Sequence, residues 1–398
     1  MGRFIVVVLD SFGVGAMADV AQVRPQDTGA NTALHILARE RSLKIPHLLQ
    51  LGLMNAIGHE LGDYHFSRTA CYGRSALSHE GADSFLGHQE IMGTTPKPPL
   101  IMPFADVLPQ VEQALLWAGY RVRRYGEPSI LLVNEVASVG DNLETDLGMV
   151  YNVTGILDAI SFEELLKIGM IVRSVAMVGR VITFGGQGVT LNDLLHAYRH
   201  KENYAGVDAP MSGVYRRGYR VLHLGYGIDP RVQIVHILEE AGIEVALLGK
   251  VADLIYSKSQ HNQTGVATEM LFRWTLEKIA EISHGFICLN IQETDLAGHA
   301  QDVQRYAHLL ELSDAYIGKI IEAMTVGDRL IVMADHGNDP TIGHSNHTRE
   351  CVPLLVYGKE LSNAFLGERE TMADVASTVA DYFGVTQPEH GQSFFTLL

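Results

Sequence analysis

Residues 4–10 read FIVVVLD, a run of β-branched and aromatic side chains that stops at an acid. A short, continuously apolar run of this kind is typical of a strand that is buried on both faces of a parallel sheet. Similar runs recur along the chain and alternate with longer amphipathic segments, which is the pattern of a parallel sheet flanked by helices. The sequence therefore predicts an α/β fold.

The predicted core elements come from the two ends of the chain. Strands are expected at Phe4–Leu9, Glu244–Leu248, Phe286–Ile291, Arg329–Ala334 and Val352–Val356. Helices, with apolar residues at three- and four-residue spacing, are expected at Asn31–Arg39, Arg231–Ala241, Val266–Ile282, Val303–Met324 and Met372–Phe383.

The middle of the chain has a different pattern. TTPKPPLIMP at residues 94–103 is a proline-rich break, and DAPMSG at residues 208–213 is a second candidate hinge. Mixed signals lie between them: helices at 104–118 and 162–170, and strands at 120–124 and 130–133. We expect residues 97–213 to form an inserted, smaller α/β domain on a core built from residues 1–96 and 214–398.

Composition excludes several classes of function. The 398 residues carry a net charge of −16, which repels nucleic acid and anionic membrane surfaces. The longest apolar run is too short for a membrane span or a signal peptide, so we expect a cytoplasmic protein. The three cysteines form no CxxC pair and are expected to be reduced.

Chemistry-bearing residues follow three of the predicted strands. Asp10 ends the first strand, Asp295 follows FICLNI, and Asp335 follows LIVMA. The ligands of open parallel sheets bind at the carboxyl ends of the strands, so these acids should meet at one edge. Imidazoles accompany them at His299, His336, His344 and His347.

Three carboxylates and three of these imidazoles at one edge suit two divalent cations. Such a pair of ions neutralises a phosphoryl group and clamps the attacking and leaving oxygens. Taken singly, an acid after a strand is more often a turn former or a helix cap, and a loop histidine is more often a surface residue. As a set spread over three strand ends, they favour a metal site.

Ser84 is the candidate nucleophile, within GADSFLGHQEIMG at residues 81–93. At the start of a helix its hydroxyl would lie where backbone N–H groups and the helix dipole favour an oxyanion. An N-cap serine has the same local pattern, and position alone does not separate the two.

A competing pattern is GVGAMA at residues 13–18, which fits the loose GxGxxA dinucleotide fingerprint. Asp10 and Ser11 intervene at the strand end, and the stretch about twenty residues further on reads as helix rather than as a second strand ending in an acid. We therefore do not favour a dehydrogenase.

Several motifs resemble the phosphopentomutase family of the alkaline phosphatase superfamily. They are DSFGVG at residues 10–15, the segment around Ser84, ADHGNDP at 334–340 and HTRECVP at 347–353. The similarity runs over nearly the whole chain, in order and at comparable spacing. It implies an alkaline-phosphatase-like core with a mobile cap domain, the cap corresponding to the insert.

The resemblance also implies the roles of site residues. Two metal ions, manganese in the family, would lie between the core sheet and the cap. Asp10, Asp335 and His336 would hold one ion together with Ser84. The other ion would be held by Asp295, His299 and His347. Zinc or magnesium also suits such a mixed ligand set.

This chain departs from the family at several positions. Ser84 stands where the family has threonine, and the Asp295–His299 motif is one residue shorter. Phe184 replaces the second arginine of a phosphate-gripping motif, while Lys201 replaces an arginine. Lysine does not reproduce the bidentate geometry of arginine, and phenylalanine removes it.

The resemblance implies phosphoryl transfer between the 1 and 5 oxygens of ribose or deoxyribose through a phosphoserine enzyme. Lys250, Lys201 and Arg180 would bind the non-reacting phosphate of this small sugar phosphate. Two alternatives stay open: a phosphatase or mutase acting on a different phosphorylated sugar, and a metal-binding protein with an inactive site.

Overall fold

The computed structural model of the chain describes residues 2–95, 97, 100–144 and 147–398. Pro96, Pro98 and Pro99 of the predicted proline-rich break lie outside the described residues. Over the described ranges, the strands in chain order are β1 (Arg3–Leu9), β2 (Cys71–Ser75), β3 (Val122–Tyr125), β4 (Ile130–Val133), β5 (Ala137–Asp141), β6 (Val150–Ile156), β7 (Arg180–Gly186), β8 (Tyr198–Lys201), β9 (Tyr204–Val207), β10 (Arg220–Gly225), β11 (Glu244–Leu248), β12 (Gly285–Ile291), β13 (Arg329–Met333), β14 (Val352–Tyr357) and β15 (Ala364–Arg369).

The α-helices, again in chain order, are α1 (Val20–Val23), α2 (Thr32–Arg39), α3 (Pro46–Gln50), α4 (Leu53–Ile57), α5 (Ser84–Ile91), α6 (Phe104–Trp117), α7 (Phe162–Val175), α8 (Leu191–His196), α9 (Ala209–Ser212), α10 (Ile234–Glu240), α11 (Val251–Leu254), α12 (Thr268–Glu281), α13 (Glu293–His299), α14 (Val303–Ala323) and α15 (Ala373–Phe383). Short 3₁₀ turns lie at Pro25–Asp27, Pro230–Val232 and Phe395–Leu397.

The chain divides into two compact units. Residues 1–95 and 229–398 form the first unit, and residues 96–228 form the second. The predicted boundary after residue 213 differs from the observed one, because Arg220–Gly225 forms β10 and pairs antiparallel with β7. Residues 209–212 of the second candidate hinge form the short helix α9, which the Asp208 side chain caps.

The first unit is built on a mixed sheet of order β11-β12-β1-β13-β14-β2-β15 among the described residues. Its centre is parallel, with β1 between β12 and β13, as predicted. All residues of β1 are buried, which explains its unbroken apolar run. The strands β13 and β14 are antiparallel, and so are β14 and β2.

The register of the central strands positions the site. Leu9 pairs with Ile291, and Val8 pairs with Met333. The carboxyl ends of β1, β12 and β13 therefore lie side by side, and the residues that follow them emerge at one edge of the sheet.

The second unit has its own sheet, of order β10-β7-β6-β5-β4-β3 among the described residues. The strands β6 and β7 are parallel, and the other neighbours are antiparallel. Helices α6 and α7 pack on each other and on this sheet, and β8 and β9 form a separate hairpin. This unit, residues 96–228, overlaps the range 97–213 over which the sequence predicts a smaller α/β insert.

Candidate active site

Three of the predicted acids meet at the carboxyl edge of the first unit's sheet. Asp10 directly follows β1, Asp335 lies two residues after β13, and Asp295 lies in the first turn of α13, just after β12. All three side chains are buried. The aligned strand ends, which the register requires, thus bring together acids that are far apart in the sequence.

Asp10, Asp335 and His336 form the first potential ligand group. One donor atom from each lies within 4.8 Å of the others. The Nε2 atom of His336 is 3.5 Å from Asp10 Oδ1 and 3.4 Å from Asp335 Oδ2. This arrangement of two carboxylates and one imidazole suits a divalent cation.

Asp295, His336 and His347 form a second group under the same distance limit. His299 adjoins it, with its Nε2 atom 3.3 Å from Asp295 Oδ2 and 3.0 Å from His347 Nε2. The rings of His336 and His347 stack with their centroids 3.9 Å apart. His336 therefore adjoins both groups, whereas the sequence reasoning assigned it to one ion.

The backbone fixes the orientation of these imidazoles. The Nδ1 atoms of His336, His347 and His299 lie 2.9, 2.7 and 2.6 Å from the carbonyl oxygens of Gly337, Ala82 and Ser345. A proton on each Nδ1 donates to its carbonyl, which leaves the lone pair of each Nε2 directed into the cluster. Metal-binding histidines are commonly held in this way.

Several buried atoms of the cluster have no hydrogen-bond partner among the described residues. They include Asp10 Oδ1 and His336 Nε2, which face each other, and Asn290 Oδ1 and Asn338 Oδ1 beside them. A buried acceptor without a partner costs roughly 1–3 kcal/mol. Because every one of these atoms is an electron-pair donor, the donor set fits bound cations.

Charge within the cluster supports the same conclusion. Burial and the carboxylate of Asp335 raise the pKa of Asp10 to about 7, although Lys250 partly counters this. Burial lowers the pKa of His336 to about 4, so this ring is neutral at pH 7. The charges of Asp335 and Asp295 thus oppose the ionisation of Asp10, and added positive charge would relieve this repulsion.

Ser84 opens helix α5 and points into the first ligand group. Its Oγ donates to Asp335 Oδ2 over 2.6 Å. The preceding residue, Asp83, is the N-cap, and its side chain accepts from the N–H of Leu86. Ser84 is therefore not the cap, and its hydroxyl is directed to the acids.

Gly87 allows α5 to approach the strand end this closely. A Cβ atom at this position would lie 2.6 Å from the carbonyl oxygen of Asp335, a distance that side chains do not tolerate. The glycine thus lets the helix carry Ser84 to its carboxylate partner.

Two site residues escaped the sequence reasoning. His88 is fully buried, and its Nδ1 lies 2.8 Å from the Ser84 carbonyl oxygen and 3.2 Å from Asp335 Oδ2. Asn290 Nδ2 lies 3.0 Å from His88 Nε2 and 3.1 Å from Asp10 Oδ2. The four-residue spacing of Ser84 and His88, which places them on one helix face, was the available signal.

Lys250 also lies in the cluster. Its Nζ is 3.0 Å from Asp10 Oδ2. Burial would lower the pKa of this ammonium, but Asp10, Asp335 and Asp295 outweigh burial and raise it. The lysine is a permanent positive charge at the edge of the acids.

His344 lies apart from the cluster. Its Nε2 is 3.2 Å from Asp27 Oδ1, and neither of the two potential ligand groups includes it. Of the two histidines in that loop, His347 is the one that reaches the acids.

The remaining predicted substrate residues belong to the second unit. Arg180 begins β7 and is half-buried, while Lys201 ends β8 and is exposed. Phe184 is only 2% exposed and packs within the core of this unit. The position at which the family motif has an arginine thus carries no cationic group here.

The glycine-rich loop at residues 13–18 contacts a carboxylate of the same chain. The Glu350 carboxylate accepts from the N–H of Gly15 over 3.1 Å and from the N–H of Thr32 over 2.9 Å. A Cβ atom on Gly13 would collide with the same carboxylate. The Gly15 amide of this loop thus binds a side chain of the chain itself, which agrees with the sequence pattern that disfavours a dinucleotide.

Across the described residues, no helix combines the length and the apolar character needed to cross a membrane.

Comparisons with known proteins identify relatives over nearly the full chain. A family model described as the metalloenzyme superfamily matches residues 2–387. A phosphopentomutase of Desulfitobacterium hafniense (strain DSM 10664 / DCB-2) is 31% identical over 423 residues and covers 99% of each chain. A phosphopentomutase of Actinobacillus succinogenes is 33% identical over 417 residues, covering 98% of this chain and 99% of its own.

Among solved structures, a phosphoglycerate mutase of Leishmania mexicana aligns with 98% of this chain and 97% of its own, at 12% identity and a TM-score of 0.45. That similarity is too low to carry an argument about function. The family is established by the match over residues 2–387 and by the full-length relatives above 30% identity. The chain belongs to the phosphopentomutase family within the metalloenzyme superfamily.

Proposed function

We propose that this protein is a metal-dependent phosphomutase of the phosphopentomutase type, which interconverts the 1- and 5-phosphates of ribose or deoxyribose. The observation that carries this proposal is the 2.6 Å hydrogen bond from Ser84 Oγ to Asp335 Oδ2 within the two ligand groups. A hydroxyl held against a carboxylate among cation ligands is what phosphoryl transfer to an enzyme oxygen requires.

Two divalent cations are proposed to bind in this cluster. Asp10, Asp335 and His336 with Ser84 would hold one ion, while Asp295, His299 and His347 would hold the other. Manganese, the metal that the family resemblance implies, is our first choice, and zinc or magnesium are the alternatives, since all three admit mixed carboxylate and imidazole ligands to differing degrees. When bound, the ions stabilise negative charge on the transferring phosphoryl group and on the serine oxygen.

The serine is proposed to carry the phosphate between two sites on the sugar. In the first half, the bond from phosphorus to Ser84 Oγ breaks and a bond to the free sugar hydroxyl forms. The proton of the sugar hydroxyl passes to Ser84 Oγ, which then donates it in the hydrogen bond to Asp335 Oδ2.

In the second half, Ser84 Oγ attacks the other phosphate of the bisphosphate, and the bond from that phosphorus to the sugar oxygen breaks. The proton that Ser84 Oγ gives up passes to the departing sugar oxygen, and phosphoserine is restored. Neither phosphate is lost, so the reaction is an isomerisation.

Substrate positioning is proposed for residues of both units. Lys250 offers an ammonium beside Asp10, while Arg180 and Lys201 lie in the second unit, which we propose as the substrate-recognition cap. Cationic side chains would be needed to hold an anionic sugar phosphate in a chain of net charge −16.

A second candidate function is hydrolysis, or isomerisation of a different phosphorylated sugar. The buried Phe184 favours it, because the bidentate clamp of an arginine is missing at this position. If the sugar phosphate were not held against phosphoserine, water would take the place of the sugar hydroxyl as the attacking group, and free phosphate would accumulate.

Labelled phosphate and mass spectrometry test the proposal. Incubation with manganese, ribose 5-phosphate and a trace of labelled bisphosphate should label Ser84 and produce ribose 1-phosphate. Ser84→Ala should abolish both, whereas Ser42→Ala, at an exposed serine of the same unit, should abolish neither.

Free phosphate without ribose 1-phosphate would select the phosphatase. A panel in which another sugar phosphate is the best substrate would select the different mutase. No label on Ser84 with any phosphorylated sugar would select a metal-binding protein with an inactive site.

A further inference from the structure

Residues 215–220 of the second unit read YRRGYR and are exposed throughout. We call them the arginine–tyrosine segment. The whole chain has 30 lysines and arginines against 46 acids. Three arginines within six residues are therefore a local reversal of the overall charge, and such reversals attract anions.

The tyrosines of the segment rest on Phe184. The ring of Phe184 is stacked with that of Tyr215 at a centroid distance of 6.1 Å, and it lies 6.1 Å from that of Tyr219. The two tyrosine rings meet edge to face at 5.0 Å. Phe184 is 2% exposed, but Tyr215 and Tyr219 are 44% and 40% exposed. Phe184 thus supports an aromatic surface that is open to solvent.

Two of the arginines are available to a ligand. Arg220 pairs with Glu163 at 3.1 Å. The guanidinium groups of Arg216 and Arg217, by contrast, form no hydrogen bond or ion pair with any residue in the described ranges. Glu144 lies beside one of the tyrosines, with both carboxylate oxygens 3.4 Å from Tyr215 Oη. Asp193 is close enough to Arg216 for their charges to interact, but its carboxylate accepts its hydrogen bonds from Thr190, so neither guanidinium group has a hydrogen-bonded acidic partner among the described residues.

The backbone holds the segment in one shape. The N–H of Gln187 donates to the Arg217 carbonyl oxygen over 2.8 Å, and the N–H of Arg216 donates to the Gly213 carbonyl oxygen over 3.1 Å. Gly218 has a φ of 59°, and a Cβ atom there would lie 2.7 Å from Gln187 Oε1. Because these contacts fix the main chain, binding a ligand requires little further ordering.

We propose that the arginine–tyrosine segment is a binding surface for a phosphorylated sugar, with Arg216 and Arg217 holding the phosphate and Tyr215 and Tyr219 covering the sugar ring. Arginine binds phosphate through two parallel N–H donors, and aromatic faces provide apolar area with little loss of side-chain entropy. The inference rests on the proposed function. It assigns phosphate binding in the second unit to residues outside the motif in which the family has its arginine.

Calorimetry on the full-length protein tests this surface directly. In a Ser84→Ala background, which prevents turnover, the probes are ribose 5-phosphate, ribose and inorganic phosphate. Arg216→Gln and Arg217→Gln should each weaken binding of ribose 5-phosphate by roughly tenfold to a hundredfold. Tyr215→Ala should weaken it by about threefold to tenfold, and Tyr215→Phe, which keeps the ring, should restore it.

Arg121→Gln is the matched control, because Arg121 is an exposed arginine of the same unit outside the segment, and it should leave binding unchanged. In the active enzyme, the arginine variants should raise the KM for ribose 5-phosphate more than they lower kcat.

Equal affinity for ribose 5-phosphate in all variants would overturn the inference. Arginine variants that lose as much affinity for ribose as for ribose 5-phosphate would overturn it too. Absence of binding of ribose 5-phosphate to the Ser84→Ala protein would overturn it as well. The labelling of Ser84 is scored separately in protein that retains this serine, so a failure of this surface is distinguishable from a failure of the proposed phosphoserine chemistry.

Discussion

At the scale of single residues, the site depends on which nitrogen of each imidazole faces the acids. The Nδ1 atoms of three predicted ligand histidines lie within hydrogen-bond distance of the carbonyl oxygens of Gly337, Ala82 and Ser345. The sequence predicts these histidines as ligands. It could not predict their orientation, because each carbonyl belongs to a backbone segment whose path depends on tertiary packing.

His88 gives the first prediction at this scale. It connects Ser84 and Asp335 to Asn290, which in turn contacts Asp10. His88→Leu should reduce phosphoryl transfer at least tenfold and lower the free energy of unfolding by about 1–3 kcal/mol, because buried polar partners are left unsatisfied.

His88→Asn, whose amide reaches in the direction of Nδ1, should recover part of the transfer rate. His308→Leu, at an exposed histidine of α14, is the control and should retain the wild-type rate. A wild-type transfer rate in His88→Leu would show that this histidine does not position the serine.

The pH dependence of metal binding is the second prediction at this scale. In the metal-free protein the pKa of Asp10 is raised to about 7. The pKa of His299 is raised by the hydrogen bond between this histidine and Asp295. The pKa of His347 is also raised, because its interactions with Asp295 outweigh the effect of burial. Below these pKa values each group carries a proton that a cation must displace.

Affinity for manganese should therefore fall as the pH drops through 7, by about tenfold per pH unit or more. Calorimetry between pH 6 and pH 8, in buffers of different ionisation enthalpy, measures both the affinity and the protons released. Constant affinity with no proton release across this range would contradict the assignment of Asp10 as a ligand.

At the scale of elements, the site is created by strand register and by one close helix approach. The ends of β1, β12 and β13 align, and α5 brings Ser84 to Asp335 because Gly87 has no Cβ atom. Gly87→Ala should displace the helix and reduce phosphoryl transfer at least as much as His88→Leu does.

The Gly87→Ala protein should still fold, with its far-ultraviolet circular dichroism unchanged, because the strain is confined to one contact. Comparison of its transfer rate with that of wild type is the measurement. Full activity would mean that the contact between Gly87 and the strand end does not set the position of Ser84.

The elements also show what sequence patterns can predict. Buried central strands such as β1 are recognisable, because an unbroken apolar run of six residues has few other interpretations. The sequence pattern does not reveal β10, and its predicted boundary at residue 213 precedes the observed end of the second unit at residue 228, because the pairing of β10 with β7 depends on residues distant in the sequence. Asp10, Asp295 and Asp335 were predictable as strand-end acids, whereas Asn290 lies within β12, where a polar residue carries no pattern of its own.

At the scale of the whole molecule, the net charge of −16 has to be reconciled with an anionic substrate. The first unit concentrates buried acids at one sheet edge, and the second unit carries the exposed arginines of residues 215–220. Bound cations would reverse the local charge at the acids, so that a phosphate could approach them.

The most direct test of the bimetallic centre is a crystal structure of the full chain grown with manganese, with anomalous difference maps recorded above and below the manganese edge. We predict two strong peaks in the first unit. One should lie within bonding distance of Asp10, Asp335 and His336, and the other within bonding distance of Asp295, His299 and His347. The absence of any peak at these side chains would contradict the account, and so would peaks bound by other residues only.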